Sequence, residues 1–284
     1  MSDPAPGPVL EIMGERVPAL GFGTWQLSGV DCERGVAHAI ELGYRHVDTA
    51  QMYENEDRVG RGLADSGVAR EDVFLVTKVA PGNLAPADVR RTTERSVRDL
   101  RTDFVDLLLV HWPSDDVPLE RTLNAMNGLR ERGLVRHVGV SNFTPRHLAV
   151  ARQHARIFCN QVEYHPFLAQ DHLLRDAREH GMLFTAYCPL ARGRVLDDDT
   201  IGRIAGRHER TPAQVVLRWL LQQGVAAIPK AASAAHRAEN LEALDFELPA
   251  EDMEAISGLA GEDRLIDPEW APEWDRSRAH AEAG

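Results

Sequence analysis

The stretch Gly43–Val59, GYRHVDTAQMYENEDRV, decides how the rest of the chain is interpreted. It indicates a helix end, a strand over Arg45–Asp48, a loop carrying Tyr53 and a helix opening near Glu54. An acid at the carboxyl end of a strand, with a phenol five residues later, is typical of a site at the mouth of a barrel or open sheet. Taken alone, the same residues also suit a helix cap and a half-buried loop, so both interpretations stay open at this point.

Seven further segments of the chain have the character of buried parallel strands. Their predicted bounds are Ala19–Trp25, Val73–Val79, Phe104–His111, Val135–Ser141, Ile157–Gln161, Met182–Tyr187 and Val225–Pro229. Amphipathic helices separate them, among them Asp31–Leu42 with Asp31 as its N-cap, and eight βα units close into a barrel. We therefore predict an α/β fold, a (β/α)8 TIM barrel forming a single domain over residues 1–284. A β-hairpin at Val9–Pro18 precedes it, and an extra C-terminal helix and tail follow.

The composition argues against several classes of protein. The formal net charge of −12 disfavours nucleic-acid binding, which needs a basic face to neutralise phosphates. Three widely spaced cysteines give no disulfide framework, so we expect a reducing, cytoplasmic location. The first residues lack the pattern of a signal peptide, and no apolar run approaches the length of a membrane span. We expect no membrane or nucleic-acid partner, and a monomer.

Polar or ionisable residues stand at the carboxyl ends of seven consecutive predicted strands. They are Asp48, Lys78, His111, Ser141 with Asn142, Gln161, Tyr187 and Lys230. A single such residue is usually a satisfied structural group. Because the carboxyl ends of barrel strands meet at one face, seven together predict an active-site mouth.

The chemistry of these residues points to proton transfer. Lys78 stands among apolar neighbours, and Asp48 is the natural partner of its buried ammonium group. A cation beside Tyr53 would lower the phenol pKa from about 10 and make a general acid that can protonate a carbonyl oxygen. His111 can donate a hydrogen bond to that oxygen. The sequence has neither an HExxH motif nor clustered metal ligands, so we expect no metal, and we assign His137 and His165 structural roles.

A tyrosine acid without a nucleophile fits hydride transfer to a carbonyl, and the hydride must then come from a cofactor. Ser141, Asn142 and Gln161 offer partners for a carboxamide, and Tyr187 offers a stacking face. Lys230 and Ser233 begin a helix after the eighth strand, where barrels often bind phosphate. No GxGxxG motif follows a strand, so a Rossmann arrangement is not expected.

Six motifs resemble the aldo-keto reductase superfamily, in order and over most of the chain. They are GYRHVDTAQMYENEDRVG, LLLVHWP, VGVSNF, NQVEYHP, YCPLARG and IPK with a later EN. The ending GEDRLIDPEWAPEWD is similar to the bacterial 2,5-diketo-D-gluconate reductase B group. The resemblance implies an NADPH-dependent oxidoreductase that acts on the CH–OH group of donors and reduces aldehydes and ketones to alcohols. The substrates it implies are small aldehydes, 2-oxoaldehydes or keto-sugar acids.

The resemblance also implies roles for individual residues. The catalytic tetrad would be Asp48, Tyr53, Lys78 and His111. The cofactor would be held by Thr24, Ser141, Asn142, Gln161, Tyr187, Leu190, Arg192, Lys230, Ser233, His236, Glu239 and Asn240. The substrate would meet Trp25, Met52 and Trp112. Trp270 and Trp274 would either line this pocket or form a hydrophobic plug at one barrel end.

The chain departs from the family pattern around the expected phosphate site. Ala231 stands where a serine is common, and His236 where an arginine is common. Arg237 follows, but adjacent helical positions point about 100° apart, so it is not an automatic substitute. NADPH preference would then be weakened, and NADH use is conceivable. Two alternatives remain: a nucleotide-binding module that docks to a partner, and a barrel isomerase or metal-dependent hydrolase.

Overall fold

The computed structural model describes residues 7–274, in which eight parallel strands follow one another in chain order within one sheet. A hairpin of β1 (Val9–Ile12) and β2 (Glu15–Pro18) precedes them. The sheet strands are β3 (Phe22–Gly23), β4 (His46–Asp48), β5 (Phe74–Val79), β6 (Val105–Val110), β7 (Val135–Ser141), β8 (Ile157–Glu163), β9 (Leu183–Tyr187) and β10 (Ala226–Ala227). The helices are α1 (Gly29–Glu41), α2 (Glu56–Asp65), α3 (Pro86–Asp99), α4 (Leu119–Glu131), α5 (Pro145–Ala151), α6 (Asp171–Glu179), α7 (Asp199–His208), α8 (Pro212–Gln222), α9 (Ala234–Leu241) and α10 (Ala250–Ser257).

Backbone hydrogen bonds close the sheet into a barrel between its first and last strands. The Gly21 amide donates to the Ala227 carbonyl at 2.8 Å, and the Ala227 amide donates to the Ala19 carbonyl at 2.8 Å. The segments that carry the first and last strands approach so closely that a Cβ atom on Gly23 would lie 2.8 Å from the Ile228 carbonyl oxygen. Glycine at this position therefore permits closure. The predicted (β/α)8 barrel is confirmed, as is the N-terminal hairpin.

The core lies in two layers, one inside the barrel and one between the sheet and the helices. All six residues of β5 and all six of β6 are buried, as expected for parallel strands covered on both faces. Val17 of the hairpin joins the inner cluster, so the hairpin covers one end of the barrel. His137 stacks on Phe158 at 4.1 Å and contacts Glu15 of the hairpin at 3.1 Å, which is a structural arrangement.

The structure corrects several predicted bounds. Helix α1 begins at Gly29 with Ser28 in the N-cap position, so Asp31 is a first-turn residue and not the cap. The helix predicted from Glu54 begins instead at Glu56, after a 3₁₀ turn. The reason is that Glu54 has φ of 53°, which no α-helix accommodates. Strand β8 runs two residues beyond its predicted end and brings Glu163 into the sheet.

We expect Asp106→Ala to destabilise the fold by about 3 kcal/mol, because the partly buried Arg70 guanidinium and the buried Leu75 amide would lose their partner. The buried Asp106 carboxylate accepts from Arg70 Nη2 at 2.6 Å, from Arg136 Nη1 at 2.9 Å and from the Leu75 amide at 2.9 Å. Urea unfolding measures the loss. The exposed Asp88–Arg91 pair supplies the control, since Asp88→Ala should cost below about 1 kcal/mol. Equal losses in the two variants would contradict the prediction.

Candidate active site

A buried ion pair lies at the carboxyl ends of β4 and β5, where the sequence predicts it. Lys78 Nζ is 2.5 Å from Asp48 Oδ1, and both side chains are almost fully inaccessible to solvent. Burial by itself pushes the pKa of Lys78 down, but the Asp48 carboxylate and the Tyr53 hydroxyl outweigh it and leave that pKa raised. The lysine is therefore an ammonium ion at any pH at which the protein would work.

The three N–H groups of the Lys78 ammonium all have acceptors. They point to Asp48 Oδ1, to the Thr49 carbonyl at 2.8 Å and to the Tyr53 hydroxyl at 3.3 Å. An ammonium group only donates, so the Tyr53 oxygen accepts this hydrogen bond. The phenolic proton of Tyr53 is consequently directed away from Lys78 and is available to another acceptor.

Tyr53 is a weaker acid than the sequence argument expects. Burial raises the pKa of the phenol above its ordinary value of 10.0, and the attraction of the Lys78 charge only partly offsets this. The expectation of a lowered pKa is thus wrong, because it omitted the cost of placing a phenolate in a site with little water. The phenol holds its proton at neutral pH, as a proton donor must.

His111 stands beside Tyr53 as a neutral imidazole. The two rings lie 5.8 Å apart, edge to face. Burial, and then the Lys78 charge, lower the pKa of His111 well below 6.5. Nδ1 is buried and makes no hydrogen bond within residues 7–274. A buried N–H without an acceptor is costly, so we assign the proton to Nε2, where it can be donated to a ligand.

The amide residues at the ends of β7 and β8 form one hydrogen-bonded group. Asn142 has φ of 63° and donates to the His111 carbonyl at 3.0 Å. Its side-chain oxygen accepts from the Tyr187 hydroxyl at 2.7 Å, and burial keeps the pKa of Tyr187 well above 10.0. Ser141 donates to the Gln161 carbonyl at 2.8 Å. Polar groups from the ends of β6 to β9 are thus joined in one hydrogen-bonded group.

The predicted phosphate residues lie together at the start of α9. Ser233 is its N-cap and accepts from the His236 amide at 3.1 Å. Lys230 is exposed, and its ammonium group donates one hydrogen bond, to Gln26 Oε1 at 3.4 Å. An ammonium group has three N–H donors, so others can meet an anion. His236 is exposed on the first turn of the helix. A cation, a hydroxyl and a helix N-terminus make this end suitable for a phosphate.

Arg237 does not replace the missing arginine at position 236. Its buried guanidinium donates to the carbonyls of Ala231 and Ala232, at 3.0 and 2.9 Å, and to His38 at 3.2 Å. The side chain therefore holds the loop before α9 from within, which agrees with the caution drawn from helical geometry.

The other predicted cofactor residues differ in how open they are. Glu239 accepts from Thr211 at 2.8 Å, and Asn240 is buried against Tyr44. Thr24 is fully buried and donates to the Asp48 carbonyl at 3.0 Å. Leu190 is half-buried, whereas Arg192 is exposed. Of these residues, Arg192 presents the most open polar group.

Aromatic and apolar side chains surround the tetrad. Trp25 and Met52 are about half exposed, and Trp112 is buried. Trp270 and Trp274 pack edge-on against Trp112, with ring centroids 5.0 and 6.0 Å away. Because Trp112 directly follows His111, the two tail tryptophans lie at the mouth of the barrel.

Glu163 anchors the tail and was not predicted from the sequence. Its fully buried carboxylate accepts from the amides of Leu265 and Ile266, at 2.8 and 2.9 Å, and contacts His165 Nε2 at 3.0 Å. Arg264, beside these amides, stacks on Trp274 at 3.7 Å. The only sequence signal was an acid between two apolar residues, Val162 and Tyr164. Its partners are a hundred residues away, so periodicity could not reveal them.

We expect Glu163→Gln to loosen the tail, because an amide offers one acceptor oxygen where the carboxylate offers two. Its NH₂ group would face one of the two backbone N–H groups. Hydrogen exchange at Leu265 and Ile266 should accelerate by about tenfold. The exposed acid Glu262 gives the control, and Glu262→Gln should leave both rates unchanged. Protection equal to wild type in Glu163→Gln would show that the carboxylate does not hold the tail.

Neither a candidate metal site nor a membrane-spanning helix is found in the part of the chain that the structure describes. Residues 7–274 contain no group of three or more His, Cys, Asp or Glu side chains that could hold a metal ion. Over the same range, no helix is both long and apolar enough to cross a membrane.

A closed parallel barrel with a phenol held against a buried lysine at its mouth defines a class of barrel enzymes. The chain belongs to the aldo/keto reductase family, whose model matches residues 19–260. The membership expected from the motifs is therefore confirmed.

Individual relatives are similar over nearly their whole length. The chain is 42% identical over 265 residues to methylglyoxal reductase DkgB of Escherichia coli O157:H7, covering 91% of this chain and 99% of that protein. A provisionally assigned 2,5-diketo-D-gluconic acid reductase B has a structure with a TM-score of 0.93 and 45% identity, covering 95% of this chain and 98% of that one. An aldo-keto reductase of Bombyx mori, solved in complex with NADP, gives a TM-score of 0.87 at 30% identity over 94% and 96% of the two chains.

Proposed function

We propose that this protein is an NADPH-dependent oxidoreductase that reduces aldehydes or ketones to alcohols, with Tyr53 as the general acid. The observation that carries the proposal is the arrangement around Lys78. Because its three N–H groups are taken by Asp48, Thr49 and Tyr53, the Tyr53 proton is free for a substrate oxygen. Within residues 7–274, the side chains of Lys78 and His111 that contact this donor serve as a charge partner and a hydrogen-bond donor, which suits addition of hydride to a carbonyl.

The residues around the mouth fit an NADPH molecule in their chemistry. Ser141, Asn142 and Gln161 present hydroxyl and amide groups for the carboxamide, and Tyr187 presents an aromatic ring. Lys230 and Ser233 present a cation and a hydroxyl at the N-terminus of α9 for a phosphate. When bound, NADPH supplies the hydride. The NADP complex of the Bombyx mori relative supports this choice of cofactor.

The chain's own residues then do three things. Nε2–H of His111 donates to the carbonyl oxygen and orients it, and the neutral state of His111 leaves that oxygen to be protonated by another group. Tyr53 delivers its proton to the same oxygen as negative charge develops there. The fixed charge of Lys78 stabilises the phenolate left behind, and Asp48 holds Lys78 in place.

The substrate we propose is a small carbonyl compound, of the aldehyde, 2-oxoaldehyde or keto-sugar acid kind. The names of two relatives, the methylglyoxal reductase of Escherichia coli O157:H7 and the provisionally assigned 2,5-diketo-D-gluconic acid reductase B, support this range. We also propose a monomer in the cytoplasm, and the free state of Cys32, Cys159 and Cys188 agrees with a reducing compartment.

A substrate panel tests the proposal. Methylglyoxal, an aromatic aldehyde and a keto-sugar acid are each mixed with the protein and NADPH or NADH, and loss of the reduced cofactor is followed by absorbance. We expect turnover of at least one carbonyl with NADPH. If NADPH quenches tryptophan fluorescence but no carbonyl reacts, the chain is a nucleotide-binding module. If NADPH does not bind at all, a barrel of another catalytic class is favoured.

His236→Arg should tighten NADPH by about tenfold and leave NADH nearly unchanged. An arginine forms charge-assisted, bidentate hydrogen bonds to phosphate, and an imidazole lacks the paired N–H groups that this geometry requires. Dissociation constants from tryptophan fluorescence check this. His180→Arg makes the same substitution at an exposed site directly after α6 and should alter neither constant. Equal tightening of both cofactors would show that position 236 does not meet the 2′-phosphate.

A further inference from the structure

We propose that Gln161 is a positioning residue that couples the nicotinamide site to the proton donor through Asp48 and Lys78. The inference rests on the proposed function, because it concerns the same acid. It gives Gln161 a second task beside the carboxamide contact expected from the resemblance, which is to adjust Tyr53 according to whether the cofactor is bound.

A continuous chain of hydrogen bonds leads from Gln161 to Tyr53. Gln161 Nε2 donates to Asp48 Oδ2 at 2.7 Å, while Asp48 Oδ1 accepts from Lys78 at 2.5 Å. Lys78 in turn donates to the Tyr53 hydroxyl at 3.3 Å. Gln161, Asp48 and Lys78 are each at most 2% exposed, so little water screens this chain. Asp48 Oδ2 therefore accepts from Gln161, while Oδ1 accepts from Lys78.

Hydrogen bonds to its backbone carbonyl hold Gln161 in place, and its side-chain oxygen takes no part in them. Its carbonyl accepts from the Asn142 amide at 2.9 Å and from Ser141 Oγ at 2.8 Å. The side-chain Oε1 accepts no hydrogen bond from residues 7–274, and these residues do not enclose it completely. It is therefore placed to accept an N–H from a primary amide such as a carboxamide.

The coupling follows from the polarisation of an amide group. A donor placed on Oε1 makes Nε2–H a stronger donor, by about 10–30% per bond in condensed-phase estimates. The stronger hydrogen bond stabilises the negative charge of Asp48, so Asp48 offsets less of the positive potential that Lys78 exerts at Tyr53. The Tyr53 phenolate is then better stabilised, and an occupied nicotinamide site makes Tyr53 the stronger acid.

Other groups that face Tyr53 do not obscure this effect. Lys78 comes from β5, Asp48 from β4, His111 from the end of β6 and Tyr187 from the end of β9. Burial keeps His111 and Tyr187 uncharged in the neutral range. The Asp48–Lys78 pair therefore supplies the charge that Gln161 can modulate.

The test is the pH dependence of NADP⁺ binding, measured by tryptophan fluorescence quenching from about pH 7 to pH 11, a range that extends into the region above 10.0 where the pKa of Tyr53 lies. A cofactor that strengthens an acid is itself bound more tightly as pH rises, because binding releases the proton of that acid. Part of this tightening comes from the positive nicotinamide ring and persists in every variant that keeps Tyr53. Tyr53→Phe abolishes the Tyr53-linked tightening and gives the baseline.

In Gln161→Met the dissociation constant of NADP⁺ should fall about threefold less between the lowest and the highest pH than it does in wild type, because the hydrogen bond to Asp48 is gone. Ser141→Ala is the matched control, since it removes another proposed carboxamide partner without touching Asp48. It should weaken binding at every pH and keep the full pH dependence. Gln161→Leu repeats the test should Gln161→Met fail to give a native circular dichroism spectrum.

The outcomes separate this inference from the proposed function. Wild-type tightening in both Gln161 variants, or an equal loss in Ser141→Ala, overturns the coupling. Neither result affects whether the wild-type protein reduces carbonyl compounds. Conversely, a wild-type protein that binds NADP⁺ with the expected pH dependence but reduces no carbonyl would refute the function and leave the coupling standing.

Discussion

Tyr53→Phe is expected to lower kcat for carbonyl reduction by about 10³-fold, within the range that general acid catalysis contributes. The substitution removes one oxygen and leaves the ring that packs edge-on against His111. Lys78 loses one of its three acceptors but keeps Asp48 and the Thr49 carbonyl, so the buried charge stays paired. We therefore expect a folded protein that binds NADPH normally and turns over very slowly.

The control for Tyr53→Phe is a second buried phenol away from the mouth. Tyr164 donates to Gln223 at 2.9 Å, so Tyr164→Phe also removes a buried hydrogen bond. Its kcat should stay within about twofold of wild type, because the lost bond does not touch the reacting groups. Steady-state rates with one aldehyde and saturating NADPH make the comparison. Similar rates in Tyr53→Phe and wild type would remove Tyr53 from the mechanism.

The pH dependence of kcat tests the role of Tyr53 as the acid by a second measurement. Tyr53 must be protonated to act as the acid, and its pKa lies above 10.0, so reduction should slow only as pH rises beyond that value. The pKa of His111 lies well below 6.5, so its neutral form persists down to acidic pH. Wild-type kcat should consequently be flat between about pH 6.5 and pH 10.

The sequence was sufficient to predict the barrel and to place Asp48, Tyr53, Lys78 and His111 together at one end of it. Both depend on local patterns: apolar runs of strand length, and ionisable residues placed where those runs end. Glu163 and the tail were missed because their contacts join residues a hundred positions apart. The acid strength of Tyr53 was misjudged for a related reason. Burial depends on how far the surrounding elements close over the phenol, and residue types alone do not give that distance.

The packing of the mouth was equally hidden in the sequence. Gln161 was assigned to a carboxamide, yet its side chain also reaches Asp48 from the opposite side of the barrel. Register determines this contact. Ser141 and Gln161 are paired across β7 and β8, which turns Gln161 towards the interior. A slip of one residue in register would turn every side chain of β8 to its other face, and a single sequence does not fix register to one residue.

Lys78→Met should lower kcat by about 10²-fold and also destabilise the protein by about 3 kcal/mol. The activity is lost because nothing then stabilises the Tyr53 phenolate. The stability is lost because Asp48 Oδ1 keeps no partner, while Oδ2 still accepts from Gln161. A buried carboxylate that has lost its cationic partner is costly. Methionine has nearly the length of lysine, so the cavity left behind is small.

The double variant Lys78→Met/Asp48→Asn distinguishes the two losses. Asparagine is neutral and still offers an oxygen to Gln161, so about half of the lost stability should return. Activity should not return, because the charge that supports the phenolate is still missing. Urea unfolding and kcat, measured on wild type, both single variants and the double variant, complete the cycle. Recovery of activity together with stability would mean that the ion pair only holds the barrel together, and that Tyr53 needs no cation to give up its proton.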